Sequence, residues 1–275
     1  MNAILSRLLC LASLSLALVA GNALDGTAQT LDGIKERKKI IIGIQAENVP
    51  WGFVDDKGQL DGYDIDISKM IARDLGVELE LIRVTNPNRI AMLLSGKVDV
   101  LVAVVGMYPE RAKVVQFSKP YSTLDVNVYA HKDSDIQSLG DLVGKRVGLS
   151  RAAAEDVAMT KQAQPGTILQ RFDDHPATLQ ALISGQVDAI GGASTFAKIL
   201  ERAVGKDMFE PRILLQRQYN GVAMRPNDRD INVWVNAFID RHITSGEIAK
   251  TYEKWIGGTL PDLPEELAGI PFTVQ

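Results

Sequence analysis

One eight-residue pattern occurs twice in this chain and constrains its fold more than any other feature. Residues 93–100 read LLSGKVDV, and residues 182–189, 89 positions later, read LISGQVDA. Each copy has the form of a helix end, a glycine C-cap, a short turn and an apolar strand. The repetition predicts two lobes of similar construction, and a cleft between two lobes is a common binding place for small molecules.

The first 23 residues have the composition of a secretory signal peptide. Arg7 precedes an apolar run over residues 8–20, and small residues follow at 21–23. The run is shorter than the roughly 20 residues that a membrane-spanning helix needs, although a retained membrane anchor is the alternative. The only cysteine, Cys10, lies inside this run. A chain cleaved after Ala23 therefore has no disulfide and depends on its core for stability.

Charge and motif content exclude several classes of function. The formal net charge is −4, with charges of both signs interspersed, so neither nucleic acid nor an anionic membrane surface is an expected partner. His131, His175 and His242 do not have metal-ligand spacing, and no phosphate-binding glycine loop or nucleophile elbow occurs. We predict no metal, no cofactor and no catalytic residue.

Strand and helix patterns alternate along the chain, which predicts an α/β fold with mostly parallel sheet. The first repeated strand is expected over residues 98–105. Asn86 and Pro87 have the residue types of an N-cap and a first helical position, so the preceding helix is expected to begin there. The same order restarts after Ser134, and the proline-containing tail is expected to be extended or disordered.

Seven short motifs, in their order, resemble the family 3 extracellular solute-binding proteins, the periplasmic receptors of polar amino-acid ABC importers. They are GYDID (62–66), LGV (75–77), NRI (88–90), SGKVD (95–99), PER (109–111), FSKPY (117–121) and KWIG (254–257). The resemblance covers about residues 30–260 and implies the α/β type II periplasmic-binding-protein fold, two lobes joined by two hinge crossovers. It implies lobe 1 at 30–122 and 223–263, lobe 2 at 126–217, hinges near 122–125 and 218–221, and a tail at 264–275.

Arg111 is the strongest candidate for a ligand contact. In the resembling family, the arginine of this motif forms a bidentate pair with the α-carboxylate of the ligand, and a planar guanidinium that stays charged suits that task. The alternative is a surface arginine paired with Glu110 or Asp125. Helix starts near Tyr108 and Ala152 offer further backbone donors to a carboxylate.

The loop after the first strand holds three more candidates. The resemblance places an aromatic wall of the cleft at Trp51, and the alternative is an aromatic side chain in the lobe core. Gln45 and Glu47 lie in the same loop at the carboxyl end of the strand, where open α/β sheets bind ligands. Glu47 is a candidate receptor for a ligand ammonium, and solvated loop residues are the alternative for both.

Further expected contacts depart from the family pattern. Gly106 stands where the family usually has threonine, Ala153 lies in an Ala-Ala pair that replaces Gly-Thr, and Asn86 replaces a residue that is often aromatic. Arg151 is a candidate cation from lobe 2, or else only a surface residue.

The departure with most consequence is at the end of the second repeated strand. Ala193 stands where the family usually has the aspartate that pairs with the α-ammonium of the ligand, and we include it among the expected contacts. A desolvated ammonium without a partner costs several kcal/mol. Therefore either Glu47 or another acid receives the ammonium, or the ligand has none.

These observations predict a monomeric periplasmic binding protein and not an enzyme. It would close about its hinges on a small carboxylate-bearing solute, an amino acid or a related compound, and would then contact the membrane permease of an ABC importer. Two alternatives remain. One is a periplasmic cyclohexadienyl-type dehydratase with Glu47 as general acid, and the other is an accessory protein that binds a partner and does not serve transport.

Overall fold

A computed structural model describes residues 30–274, so the predicted signal peptide at 1–23 lies outside the described residues. The described helices are α1 (Leu31–Glu36), α2 (Tyr63–Leu75), α3 (Arg89–Leu94), α4 (Pro109–Ala112), α5 (Ala154–Gln162), α6 (His175–Ile183), α7 (Phe196–Val204), α8 (Arg229–Thr244) and α9 (Glu247–Trp255), with a short 3-10 helix at Leu139–Leu142. None of the helices in this part of the chain combines the length and apolar character that crossing a membrane requires.

The strands form one large mixed sheet and one small antiparallel sheet. They are β1 (Lys39–Ile44), β2 (Glu47–Asn48), β3 (Gly52–Val54), β4 (Leu60–Asp61), β5 (Glu78–Arg83), β6 (Val100–Leu101), β7 (Gln116–His131), β8 (Arg146–Ser150), β9 (Ile168–Phe172), β10 (Ala189–Ala193) and β11 (Phe209–Met224). The large sheet has the order β5-β1-β6-β11-β7-β10-β8-β9, and β2, β3 and β4 form the small one. Strand β1 pairs in parallel with β5 and β6, and β8 pairs in parallel with β9 and β10, as the α/β prediction requires.

The repeated sequence has the same structural role in both halves. In each copy a helix ends just before a glycine with positive φ (Gly96 in the first copy), and a strand follows. The Asp99 carboxylate accepts the N–H of Ile41 at 2.7 Å and pairs with Arg37. The Asp188 carboxylate accepts the N–H of Arg146 at 2.7 Å and pairs with the guanidinium of the same residue. The aspartate of the repeat thus joins its own strand to the first strand of its half.

Two long strands connect the halves. Strands β7 and β11 have 16 residues each and pair antiparallel in the middle of the large sheet, with one parallel set on either side. The segments predicted as hinges, 122–125 and 218–221, lie opposite each other in this ladder, where Leu124 is in register with Gln218. The ladder has a register shift between Asn220 and Gly221. The exact lobe limits remain predictions.

Two local predictions near the repeat are wrong. The strand expected over 98–105 forms regular structure only at Val100–Leu101, and Val104 has a positive φ of 49°. Helix α3 begins at Arg89 instead of at the Asn86–Pro87 pair. Asn88 turns the chain there, because its Oδ1 accepts the N–H of Thr85 at 2.8 Å.

The C-terminal tail is ordered against the first half. It was expected to be extended or disordered, but Ile270 and Phe272 are buried and join an apolar cluster that also contains Phe117. Asn236 Nδ2 donates to the Phe272 carbonyl at 2.7 Å, and Gln116 Nε2 donates to the Pro271 carbonyl at 2.8 Å. The tail therefore contributes to the core although it has little regular secondary structure.

A buried carboxyl group fixes the turn that follows β6. Asp64, in the first turn of α2, accepts the N–H of Val104 at 2.9 Å and the hydroxyl of Tyr121 at 2.9 Å. Because Val104 has a positive φ, its backbone needs an external partner to hold this conformation. Burial raises the pKa of Asp64 from 3.8 to about 7, although both hydrogen bonds oppose the shift.

Removing the aromatic side chain of the tail should destabilise the protein. We expect Phe272→Ala to lower the free energy of unfolding by about 2 kcal/mol or more, because a buried side chain and its packing are lost. The control is Val233→Ala on the outer face of α8, which is 59% exposed and should change stability by less than about 0.5 kcal/mol. Urea unfolding of both variants measures this, and equal effects would mean that the tail does not contribute to the core.

The Asp64 carboxyl should make stability depend on pH. A raised folded pKa means that the folded state keeps the Asp64 proton where the unfolded state has lost it, so this stabilisation is complete below the unfolded pKa of about 3.8 and disappears as the pH rises through about 7. We expect Asp64→Asn to remove this component. Urea unfolding at several pH values between about 4 and 8 should show the variant gaining stability relative to wild type as the pH rises. A constant difference would contradict the assignment.

Candidate functional site

A small cavity lies between the two halves, where strands β1, β8 and β10 end. Its volume is about 20 Å³. The residues around it come from both halves and are mostly polar. They are Gln45, Asn48, Asn86, Arg89, Val104, Leu124, Val126, Ala153, Ala154, Glu155, His175, Ala193 and Gln218. Four of the residues predicted from sequence, Gln45, Asn86, Ala153 and Ala193, are thereby brought together.

A chain of amide side chains forms one wall of this cavity. Gln45 Nε2 donates to Asn86 Oδ1 at 2.9 Å, and Asn48 Nδ2 donates to Gln45 Oε1 at 2.9 Å. Asn86 Nδ2 in turn donates to Ser150 Oγ of the second half at 3.4 Å. Asn86 is therefore a cavity residue and not the helix cap that its sequence context predicted.

Arg89 lines the cavity, and Arg111 lies next to the lining, where it contacts Ala152. Both arginines have backbone carbonyls as their hydrogen-bond partners. Arg89 Nη1 donates to the Ala103 carbonyl at 2.7 Å, and Arg111 donates to the carbonyls of Gly106 at 3.0 Å and Ala152 at 2.9 Å. Burial lowers the pKa of Arg89 to about 9, and the neighbouring Arg111 cation adds to the shift. Burial also lowers the pKa of Arg111. Within residues 30–274, neither guanidinium has a carboxylate at ion-pair distance.

The acids considered as alternative partners of Arg111 are engaged elsewhere. Glu110 pairs with Lys161 at 2.7 Å, and Asp125 pairs with Arg217 at 2.8 Å. Arg111 instead lies over the ring of Tyr108, with its Cζ atom 4.9 Å from the ring centroid. The structure therefore does not support a surface arginine paired with either acid.

The second half contributes a carboxyl–imidazole pair that sequence reasoning missed. Glu155, in the first turn of α5, is 3% exposed, and its Oε1 lies 3.2 Å from Nε2 of His175. Ala153 is the N-cap of that helix. The one available signal was an acidic residue in the first turn of a helix expected to face the cleft, where a negative charge complements the helix dipole. Arg89 and Asn48 were also missed as cavity residues.

Five predicted residues, namely Arg111, Trp51, Glu47, Gly106 and Arg151, lie outside the cavity lining, and Trp51 is the clearest correction. Its side chain is fully buried in the core of the first half, and its ring packs edge-on against Tyr63 with centroids 5.4 Å apart. The adjoining ring of Tyr121 stacks on Tyr63. Arg151 is exposed, 3.9 Å from the Asp173 carboxylate. Trp51 thus belongs to the aromatic core, which was the alternative considered from sequence.

Glu47 and Gly106 also have positions that differ from the simplest expectation. Glu47 is half-buried, its carboxylate accepts the Ala46 N–H at 3.1 Å, and burial raises its pKa. Gly106 contacts Arg111 through its backbone, because the Arg111 guanidinium donates to the Gly106 carbonyl. A Cβ at position 106 would lie 2.6 Å from Gln218 Oε1 and 2.8 Å from the ring of Tyr108, which explains the absence of a larger residue there.

Comparisons with known proteins agree with this architecture. Residues 40–258 match the bacterial extracellular solute-binding proteins, family 3. The L-cystine-binding protein TcyJ of Escherichia coli (strain K12) is 29% identical over 257 residues, which cover 92% of this chain and 96% of TcyJ.

Two solved structures extend the comparison. The P235GK mutant of ArgBP from T. maritima has a TM-score of 0.76 and 32% identity over 83% of this chain and 99% of its own. A cysteine-binding protein from Campylobacter jejuni has a TM-score of 0.77 and 28% identity over 84% of this chain and 94% of its own. These neighbours have the type II periplasmic-binding-protein fold, which confirms the predicted fold class.

The comparisons also decide between the predicted classes of function. The curated relatives are solute-binding proteins, which confirms the prediction of a binding protein and not an enzyme. The matched region includes both halves and both connecting strands. The chain belongs to the bacterial extracellular solute-binding proteins of family 3.

Proposed function

We propose that this protein is the periplasmic receptor of an ABC importer and that it binds a small carboxylate-bearing solute, an amino acid or a related compound, between its halves. The observation that carries the proposal is the pair Arg89 and Arg111. Both guanidinium groups are desolvated, Arg89 in the cavity lining and Arg111 beside it, and neither has a carboxylate at ion-pair distance within the described residues. A carboxylate that reaches these groups would supply the missing counter-charge.

Arg111 is well placed to couple carboxylate binding to closure. Its guanidinium already joins the halves, because one nitrogen donates to Gly106 in the first half and another donates to Ala152 in the second. A ligand carboxylate would replace neutral carbonyl partners with a charged one, and charge-assisted hydrogen bonds are about twice as strong as neutral ones. The ligand would thereby favour the conformation in which both halves contact it.

The size of the cavity implies that the halves separate during binding. About 20 Å³ is close to the roughly 10–15 Å³ that one water molecule requires. An amino acid is much larger, so it enters only when the halves move apart. The facing segments 122–125 and 218–221 of β7 and β11 are the proposed hinges, since they are the central part of the two strands that cross between the halves.

The location and partners follow from the family and the predicted leader. We infer that residues 1–23 direct export and are removed, and that the mature chain acts in the periplasm as a monomer. The closed form would be recognised by a membrane permease. TcyJ, ArgBP and the cysteine-binding protein indicate which amino acids to test first, namely L-cystine, L-arginine and L-cysteine.

Arg111→Ala should abolish ligand binding while the fold is retained. A thermal-shift screen of the wild-type protein with these three amino acids identifies the ligand. A micromolar ligand at millimolar concentration should stabilise the protein by about 4 kcal/mol. Isothermal titration should then show an affinity loss of about 30-fold or more in Arg111→Ala, because a desolvated charge pair is broken.

Arg151→Ala is the matched control for this experiment. It removes the same kind of side chain from an exposed position near the cleft, so its affinity should stay within about twofold of wild type. Unchanged affinity in Arg111→Ala would contradict the assignment of this residue. The absence of any thermal shift with amino acids and other small carboxylic acids would contradict the proposed function itself.

A further inference from the structure

The cavity lining contains a carboxylate with one oxygen that has no hydrogen-bond donor. Glu155 is the only acidic residue among the described residues that line the cavity, and it is 3% exposed. Its Oε1 has no hydrogen-bond partner, since His175 Nε2 at 3.2 Å does not meet hydrogen-bond geometry. An acceptor left in this state costs free energy unless a ligand supplies the donor.

The unusual glycine pair at the end of β10 makes room for this carboxylate. A Cβ at Gly191 would lie 2.6 Å from Cβ of Glu155, and one at Gly192 would lie 2.2 Å from the Phe196 ring. The Phe196 ring packs edge-on against His175, with centroids 5.3 Å apart. The end of strand β10, which has Ala193 where the family usually has aspartate, therefore leaves space for Glu155 and for the Phe196 ring that packs against His175.

A second buried acceptor lines the same cavity from the first half. Asn48 is 4% exposed, and its Nδ2 is occupied by Gln45, while its Oδ1 has no hydrogen-bond partner. Asn48 Oδ1 and Glu155 Oε1 thus both lack a donor, and they come from opposite sides of the cavity. An ammonium group suits this arrangement, because it has three donors, no acceptor and a positive charge.

We propose that Glu155, assisted by Asn48, binds the ammonium group of the ligand, which makes the solute an amino acid and not a simple carboxylic acid. The proposal rests on the proposed function, since the carboxylate of the same molecule is assigned to Arg111. The cavity has Arg89 and Glu155 in its lining and Arg111 beside it, and these groups match the two charges of a zwitterion. In the family pattern the acid that pairs with the ligand ammonium lies at the end of strand β10. In this chain the proposed acid lies at the start of helix α5.

Matched pairs of probes test this inference. The ligands are L-cystine, L-arginine and L-cysteine, and each is compared with its analogue without the α-amino group, namely dithiodipropionate, δ-guanidinovalerate and mercaptopropionate. Isothermal titration is carried out with wild type, Glu155→Gln and Glu47→Gln. Glu47→Gln is the control, because Glu47 is the other acid near the cleft but lies outside the cavity lining.

The wild-type protein should bind at least one amino acid and should bind its des-amino analogue about 30-fold more weakly or worse. Glu155→Gln should bind the amino acid more weakly than wild type by a similar factor and should bind the analogue with unchanged affinity. Glu47→Gln should keep the wild-type affinity for both. Without ligand, Glu155→Gln should melt no lower than wild type, because it replaces a buried carboxylate whose Oε1 has no hydrogen-bond donor with a neutral amide. This thermal measurement also verifies that the variant is folded.

Three results would overturn the inference. One is equal wild-type affinity for an amino acid and its analogue, and this test does not depend on any variant. Another is full amino-acid affinity in Glu155→Gln. In the third, the wild-type protein binds only the des-amino acids, and then the role of Glu155 fails while carboxylate binding stands. Binding of neither set would remove the proposed function as well.

Discussion

The burial of charge without an internal counter-charge is the constraint on which this site depends. Arg89 and Arg111 contribute two desolvated cations, and Glu155 contributes a buried carboxylate whose Oε1 has no hydrogen-bond donor. Carbonyl oxygens stabilise the cations only in part, because a neutral acceptor does not repay the loss of water around a full charge. These buried charges lower the free energy of unfolding. Destabilising groups of this kind are characteristic of functional sites.

The fold makes this arrangement possible because the charged groups belong to different halves. Each half completes its own parallel sheet, and the repeated aspartates, Asp99 and Asp188, join the strands within it. The two halves are connected through the ladder of β7 and β11, in which the facing segments 122–125 and 218–221 lie, and side-chain contacts such as Asn86–Ser150 and Arg111–Ala152 join them across the cavity region. A structure of this kind can move its halves apart without breaking either core. The charged groups at the cavity are then hydrated in the open form and desolvated in the closed one.

Sequence reasoning succeeded where the signal was local or repeated. The repeat and the alternation of strands and helices predicted the α/β architecture, and the ordered motifs pointed to the family. It failed where the outcome depended on distant contacts. Trp51 joins the core because its ring packs edge-on against Tyr63, on which Tyr121 stacks, and Glu155 reaches the cavity because Gly191 has no side chain. Neither relation follows from the order of residues along the chain.

A crystal structure of the protein with the amino acid that gives the largest thermal shift tests the central claim most directly. The account predicts a ligand carboxylate at about 2.7–2.9 Å from the Arg111 guanidinium, in place of one of its present carbonyl partners. It also predicts the ligand ammonium at hydrogen-bond distance from Glu155 Oε1. A complex in which Arg111 keeps both the Gly106 and Ala152 carbonyls and touches no ligand oxygen would contradict the account.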